Sequence, residues 1–178
     1  MGSRNTNHSS QWYPTSFRVR YQETDQMGVV YHANYLNWFE IGRTEMLREL
    51  GFTYRELEDK GVFLPVTSAD LQFKSPARYD DLVVVFARLT GFAALRVVFE
   101  YEVRRLPKES ADRPGELPVN IEQIVPAYQS PVWGELLVSG STSHVWLNKE
   151  WKPTRLDRIL PDLFKGITGA LREEGGAV

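Results

Sequence analysis

Between residues 33 and 50 apolar side chains recur at helical spacing over the longest run in the chain. Tyr35, Phe39, Gly42, Met46 and Leu50 fall within one narrow arc, with Leu36, Trp38 and Leu47 flanking it. Asn34, Asn37, Thr44, Glu45 and Arg48 lie opposite, so one face must be covered by another layer of structure. Burying about eight such side chains at roughly 1.5–3 kcal/mol each makes this helix a main source of core stability. Gly42 sits mid-stripe, where a missing side chain lets a neighbour approach closely, and Arg43 is expected to reach out of the arc's edge. Gly51 suits the position just past the helix end.

Around this helix the periodicity is two. Phe17, Val19 and Tyr21 alternate with Arg18 and Arg20, which predicts a strand over 16–21 after a loose polar tail at 1–14. A loop follows at 22–31, and Gly28 allows a turn in it that a side chain would resist. A short helix is expected over 54–60, closed by Gly61. Residues 62–74 read as extended, with Leu71 and Phe73 on one face and Asp70 and Gln72 on the other. Residues 81–90 form a nearly continuous apolar run, as a central strand should. A turn at 91–93 leads to Leu95, Val97, Phe99, Tyr101 and Val103, which alternate with charged residues. Residues 133–147 are a further strand with Gly140 as a bulge or bend. Pro161 fits the first turn of a final helix through about 170, and 171–178 is read as a tail. Residues 107–131 hold Pro107, Pro114, Pro118, Pro126 and Pro131 and read as a long insertion between strands. One strand, a long helix, then four strands argue an α+β domain with an antiparallel sheet over 15–170.

A chain of 178 residues suffices for one domain. It has no cysteine, and His8, His32 and His144 are too scattered for a metal motif, so no metal or other cofactor is expected. A net charge of −2 predicts no nucleic-acid partner. No apolar run reaches the roughly 20 residues of a membrane span, and the N-terminal residues lack a signal-peptide core, so we expect a cytoplasmic protein without membrane insertion. Serine-elbow, P-loop and Rossmann glycine patterns are absent.

The chemistry concentrates at 21–34. Tyr21, Asp25 and His32 place a phenol, a carboxylate and an imidazole within a short stretch ending at a helix N-terminus, where free N–H groups favour an oxyanion. Asp25 in such a loop attacks a carbonyl or activates water, or else closes a turn, as most loop aspartates do. His144 is read as a strand-face residue, and Tyr35, Trp38 and Phe39 as core. Lys74, Arg78 and Arg88 are candidates to meet a phosphorylated ligand.

The run Tyr21-x3-Asp25-x2-Gly28-Val29-Val30-Tyr31-His32-Ala33-Asn34-Tyr35-Leu36 closely resembles the signature of the YbgC/FadM-like acyl-CoA thioesterases of the hotdog-fold superfamily. The likeness continues through Phe39-Glu40-x2-Arg43-Thr44, Leu64-Pro65-Val66, Phe73-x2-Pro76-Ala77, Tyr79-Asp80-Asp81-Leu82 and Gly140-x3-His144-Val145, covering about residues 16–167. It implies a sheet wrapped around a long central helix, and homodimers or homotetramers with active sites at the dimer interface. It implies Asp25 as nucleophile or general base, the His32 N–H at the thioester carbonyl, and Tyr21 and His32 as assisting groups. Substrate contacts are implied at Gly28, Val29, Val30, Tyr31, Asn34, Leu64 and Pro65, with Lys74 and Arg78 toward the CoA phosphates. The segment 107–131 departs from the family pattern. The expected activity is hydrolysis of acyl-CoA, with CoA part of the substrate and no separate cofactor. A non-catalytic acyl-CoA-binding module is the alternative, and a hotdog dehydratase fits the aspartate loop poorly.

Overall fold

The computed structural model describes residues 11–107 and 134–173. Strands β1 (Tyr13–Arg18), β2 (Val66–Phe73), β3 (Leu82–Phe92), β4 (Arg96–Arg105) and β5 (Glu135–Val145) form one sheet in the order β1-β3-β4-β5-β2. Every neighbouring pair is antiparallel. Helices α1 (Asn34–Glu49) and α2 (Tyr54–Asp59) lie between β1 and β2, and α3 (Leu156–Ile159) and α4 (Pro161–Glu173) follow β5. The order is the expected one, α+β with a long helix against an antiparallel sheet. Among the described residues, no helix is long and apolar enough to cross a membrane.

Helix α1 buries Tyr35, Trp38, Phe39, Gly42, Arg43, Met46 and Leu47, so the arc read from the sequence is its core face, while Leu36 stays exposed. The helix ends in a Schellman motif, with the Phe52 N–H donating to Leu47 O and the Gly51 N–H to Arg48 O. Gly51 adopts φ +86°, the left-handed conformation this closure needs. Helix α2 opens with a Thr53–Glu56 capping box.

The sheet presents two apolar faces. Val83, Val85, Ala87 and Leu89 of β3 join the core around α1, while Leu82, Val84 and Phe86 are buried with Trp12 and Leu106 in a second cluster. That double burial is why 81–90 lost its alternation. Strand β2 is the opposite case, an edge strand nearly all exposed.

Several boundaries differ from the expectation. Strand β1 begins at Tyr13 and ends at Arg18, so residues 13 and 14 are not tail and Tyr21 is not in the strand. Trp12 and Tyr13 are buried, and the Arg88 guanidinium, paired with Glu100, stacks over the Trp12 ring. The polar neighbours of these two aromatics hid a strand start that tertiary burial supplies. Residues 1–10 lie outside the described residues, as does the proline-rich stretch beyond Pro107. Helix α4 continues past 170 to Glu173 with Leu171 buried, and 174–178 lie outside the described residues. The β3–β4 turn falls at 93–95, because Gly91 instead follows a register shift inside β3.

Gly140 is not a bulge. It pairs with Leu71 on one side and Tyr101 on the other. A Cβ there would meet Asp70 O and come within 2.8 Å of Phe39 Cε2, so its bareness seats the Phe39 ring, which stacks on Tyr101 at 4.3 Å.

Arg43 does not reach out. It is 8% exposed, and its Nε donates to the Tyr54 hydroxyl at 3.2 Å. Nearby, Tyr101 Oη meets Thr142 Oγ1 at 2.8 Å, Thr142 Oγ1 meets His144 Nε2 at 2.8 Å, and His144 Nδ1 meets Leu64 O at 3.2 Å. A carbonyl only accepts, so Nδ1 carries the proton, Nε2 accepts from Thr142, and Thr142 accepts from Tyr101. His144 is thus a buried, neutral strand residue, its pKa lowered to about 4 chiefly by burial.

Two outcomes follow for stability. Unfolded His144 takes up a proton near pH 6.5, whereas the folded side chain resists until about pH 4. Between those values the unfolded chain binds more protons, so stability rises with pH across the window and falls on acidification. Urea midpoints measured from pH 7 to pH 4 should show that slope, and a His144→Gln variant should flatten it. At Gly42 a Cβ would stand 2.7 Å from Val85 Cγ1, on a stiff β-branched side chain. Overpacking by about 1–3 kcal/mol outweighs the helix gain of about 1 kcal/mol from alanine. Gly42→Ala should therefore lower the urea midpoint, and adding Val85→Ala should leave no further penalty from the Gly42 change.

Candidate active site

The loop from β1 to α1 is built on one buried carboxylate that the sequence reading passed over. Tyr21–Glu23 form a 3₁₀ turn, and Glu23 is 9% exposed. Its Oε2 accepts from the Arg20 N–H at 2.7 Å, and its Oε1 accepts from Trp38 Nε1 at 2.9 Å. Its backbone carbonyl accepts from the Tyr31 N–H at 2.9 Å and from Asn34 Nδ2 at 2.8 Å. Through that bond Asn34, expected at the substrate, pins the loop to the first residue of α1. The signal available in the sequence was a glutamate two residues before Asp25 in the same loop, which is too common to single out.

Beyond Glu23 the loop turns back on itself. The Asp25 N–H donates to Val29 O at 2.8 Å, and the Gly28 N–H donates to Asp25 O at 2.9 Å. Gly28 takes φ +73°, as its place in the turn predicts. Asp25 is half-buried, and its Oδ1 accepts from the Met27 N–H at 2.8 Å, an Asx turn. Among the described residues, Oδ2 has no protein partner. Val30 is buried, and its N–H donates to Ala77 O at 2.8 Å.

At the helix mouth the Asn34 N–H donates to Tyr31 O at 2.9 Å, but among the described residues no acceptor meets the N–H of His32 or Ala33. Both therefore remain available to an anionic oxygen. His32 is exposed, its ring 4.3 Å from that of Tyr31, and it lines a cavity of about 220 Å³ with Val30, Tyr35, Phe73, Lys74, Ser75 and Pro76. The Tyr35 hydroxyl accepts from the Ala77 N–H at 3.0 Å and so holds the 73–77 wall against α1. Asp81 braces the same segment from below, accepting from the Arg78 N–H and from Arg105 Nη1.

The expected site residues thus separate into groups. His32, Val30 and Lys74 share the cavity at the helix mouth, and Asp25, Gly28 and Val29 form the adjoining turn. Tyr21 is 78% exposed, its ring edge-on to Tyr79. Arg78 is exposed and lies 3.5 Å from Gly28 O, so it borders the turn. Leu64 and Pro65 are not in this cavity. They line a separate one of about 430 Å³ with Glu40, Arg43, Thr44, Tyr54, Glu58, Phe63 and Trp151, because they precede β2 while Phe73 ends it and Lys74–Pro76 follow.

Residues 19–114 match the family described as the thioesterase-like superfamily. YneP of Bacillus subtilis is 35% identical over 145 residues, which is 81% of this chain and 86% of that one. The acyl-CoA thioester hydrolase YbgC of Escherichia coli O157:H7 is 36% identical over 86 residues, 48% of this chain and 64% of that one. Among solved structures, the DHNA-CoA thioesterase of Staphylococcus aureus superposes with a TM-score of 0.72 at 32% identity, covering 94% of this chain and 97% of that one. The sheet packed about α1 is their hotdog fold. With more than half its length matched and a relative of this similarity spanning most of it, the chain belongs to the thioesterase-like superfamily.

Proposed function

We propose that this chain is a cytoplasmic acyl-CoA thioesterase that uses Asp25 as its catalytic carboxylate and the N–H groups at the start of α1 as its oxyanion site. The observation that carries the reading is the pair of N–H groups at His32 and Ala33, which no acceptor meets among the described residues, set at the cavity that His32 lines and close in sequence to a carboxylate whose Oδ2 likewise has no partner among those residues. Such donors are most valuable where charge develops on a carbonyl oxygen. Met27 holds Oδ1 of Asp25 and leaves Oδ2 for the chemistry. Either Oδ2 attacks the thioester carbonyl, or it removes a proton from a water that attacks. If Oδ2 attacks, the C–S bond breaks to leave an aspartyl–acyl anhydride and the CoA thiolate, and a water then hydrolyses the anhydride, one of its protons passing to the thiolate. If Oδ2 activates the water, the hydroxide displaces the thiolate, which takes up the proton that Asp25 received. Both routes end in a carboxylic acid, free CoA and the original Asp25 carboxylate. His32 and Tyr21 assist from the rim, Gly28, Val29, Val30 and Tyr31 shape the approach, and Lys74 and Arg78 meet the CoA phosphates. No cofactor besides the CoA of the substrate is required.

The acting unit is a homodimer or homotetramer. Among the described residues no strand pairs with the outer edge of β2, and an exposed edge of eight residues invites pairing. A two-fold, antiparallel β2–β2 pairing sets the Leu64–Pro65 end of one copy beside the Phe73–Pro76 end of the other. That arrangement brings the two separated groups of expected substrate contacts into one composite cleft. Sedimentation of the purified chain should give twice or four times the monomer mass, and a monomer at micromolar concentration contradicts this assembly.

Thiol release from acyl-CoAs of graded chain length and aryl substitution tests the activity itself. Asp25→Asn should reduce kcat by at least about 10³ while preserving fold and oligomer, in the range typical of removing one member of a catalytic unit. Retention of near-parental turnover on every accepted thioester assigns Asp25 only its Asx turn.

A further inference from the structure

Strand β2 ends at Phe73, and beyond it the chain leaves the ladder with β5, yet residues 74–76 wall the cavity at the helix mouth. The N–H groups of Lys74 and Ser75 share one acceptor, Leu137 O, at 2.8 and 3.1 Å. Pro76 has no N–H to give. Backbone pairing alone therefore holds this wall loosely, and side chains complete it. On the inner side the Ala77 N–H reaches the Tyr35 hydroxyl, and Ala77 O takes the Val30 N–H. On the outer side a single guanidinium gathers the contacts.

That guanidinium belongs to Arg105, the last residue of β4. Its Nη1 donates to Pro76 O at 3.3 Å and to Asp81 Oδ2 at 2.9 Å, and its Nη2 donates to Glu135 at the start of β5. Both carboxylates hold the wall as well. Asp81 Oδ2 also accepts from the Arg78 N–H at 2.8 Å, and Glu135 accepts from the Ser75 hydroxyl. The rigid fork of an arginine reaches such acceptors in fixed directions, whereas a lysine ammonium is a point charge. The Asp81 arm, on a side chain 12% exposed, outweighs the Glu135 arm, on one 49% exposed and screened by water.

From this geometry we infer that Arg105 is a positioning residue for the thioester site, which sets the Lys74–Pro76 wall and with it the fit of the acyl-CoA. The inference rests on the thioesterase reading above. The turn of Asp25 and the head of α1 are set separately, through the Met27 N–H and the bonds of Glu23. Loosening the wall therefore removes binding shared by substrate and transition state, which raises KM and leaves kcat. A purely structural loss would instead lower kcat through the folded fraction and leave KM.

Steady-state hydrolysis of the acyl-CoA that the parent cleaves best, together with amide hydrogen exchange, tests this on the full chain. Arg105→Met keeps the aliphatic stem and loses the fork. It should raise KM about tenfold with kcat within about twofold of the parent. Exchange at the Ser75 and Arg78 N–H groups should quicken at least about tenfold, while the Tyr31 N–H, bonded to Glu23 O, exchanges as in the parent. Arg105→Lys should not restore the parental KM. Glu135→Gln, at a half-exposed position, should raise KM about threefold with kcat held, and should add nothing to Arg105→Met, since both act through one clamp. Should Arg105→Met fail to fold, Glu135→Gln carries the test by its KM and its Ser75 exchange. Unchanged KM, a fall in kcat at unchanged KM, full rescue by lysine, or parental exchange at Ser75 overturns the inference. A parent that releases no thiol from any acyl-CoA overturns the thioesterase reading, and the exchange rates then decide the clamp by themselves.

Discussion

Everything at the candidate site depends on the Glu23 carboxylate being buried between a loop and a helix. One oxygen takes the Trp38 indole N–H, from the middle of the α1 core face, and the other takes the Arg20 N–H, where β1 has just ended. Each bond satisfies a carboxyl oxygen removed from water, where losing a partner is expensive. Together they set the position of α1's first turn relative to the loop that carries Asp25. The Tyr31 N–H and Asn34 side chain on Glu23 O close the same joint, leaving the next two N–H groups, of His32 and Ala33, with no acceptor among the described residues.

That joint is precise only because α1 itself cannot shift. Gly42 lets Val85 within 2.7 Å of where a Cβ would be, and bare Gly140 seats the Phe39 ring against Tyr101. Two missing side chains, one on the helix and one on the sheet, thus fix the helix in register with the strands. The Tyr101–Thr142–His144–Leu64 chain of hydrogen bonds then carries order from the core to the residues just before β2. The edge strand that follows has little burial of its own, so its placement is inherited from this polar spine and from β5.

Much of this was readable beforehand. The 3.6 spacing of Tyr35, Phe39, Gly42 and Met46 and the period of two in 96–105 each depend on a single interface, and both appear as read. The double apolar face of β3 likewise produced the unbroken run that marks a strand covered on both sides. What escaped were features set by distant partners. Trp12 and Tyr13 gain their burial from β3, Arg43 from Tyr54 and Tyr101, and Glu23 from Trp38, pairs that no local pattern announces. Gly140 was seen as special for the wrong reason, since a glycine that admits a ring and one that bends a strand are identical in sequence. Of the site, the turn at Asp25 and Gly28 and the helix mouth at His32 were legible. The separation of Leu64 and Pro65 from them was not, because it follows from the length of β2.

The central claim is that the N–H groups at the head of α1 receive the thioester oxygen while Asp25 faces its carbon. A crystal structure with a non-hydrolysable ketone analogue of acyl-CoA, in which a methylene replaces the sulfur, measures this directly. The account predicts the ketone oxygen at about 3 Å from the backbone nitrogen of His32 or Ala33, with the Asp25 carboxylate beside the carbonyl carbon. A ketone bound elsewhere, with those two N–H groups still facing solvent, contradicts it.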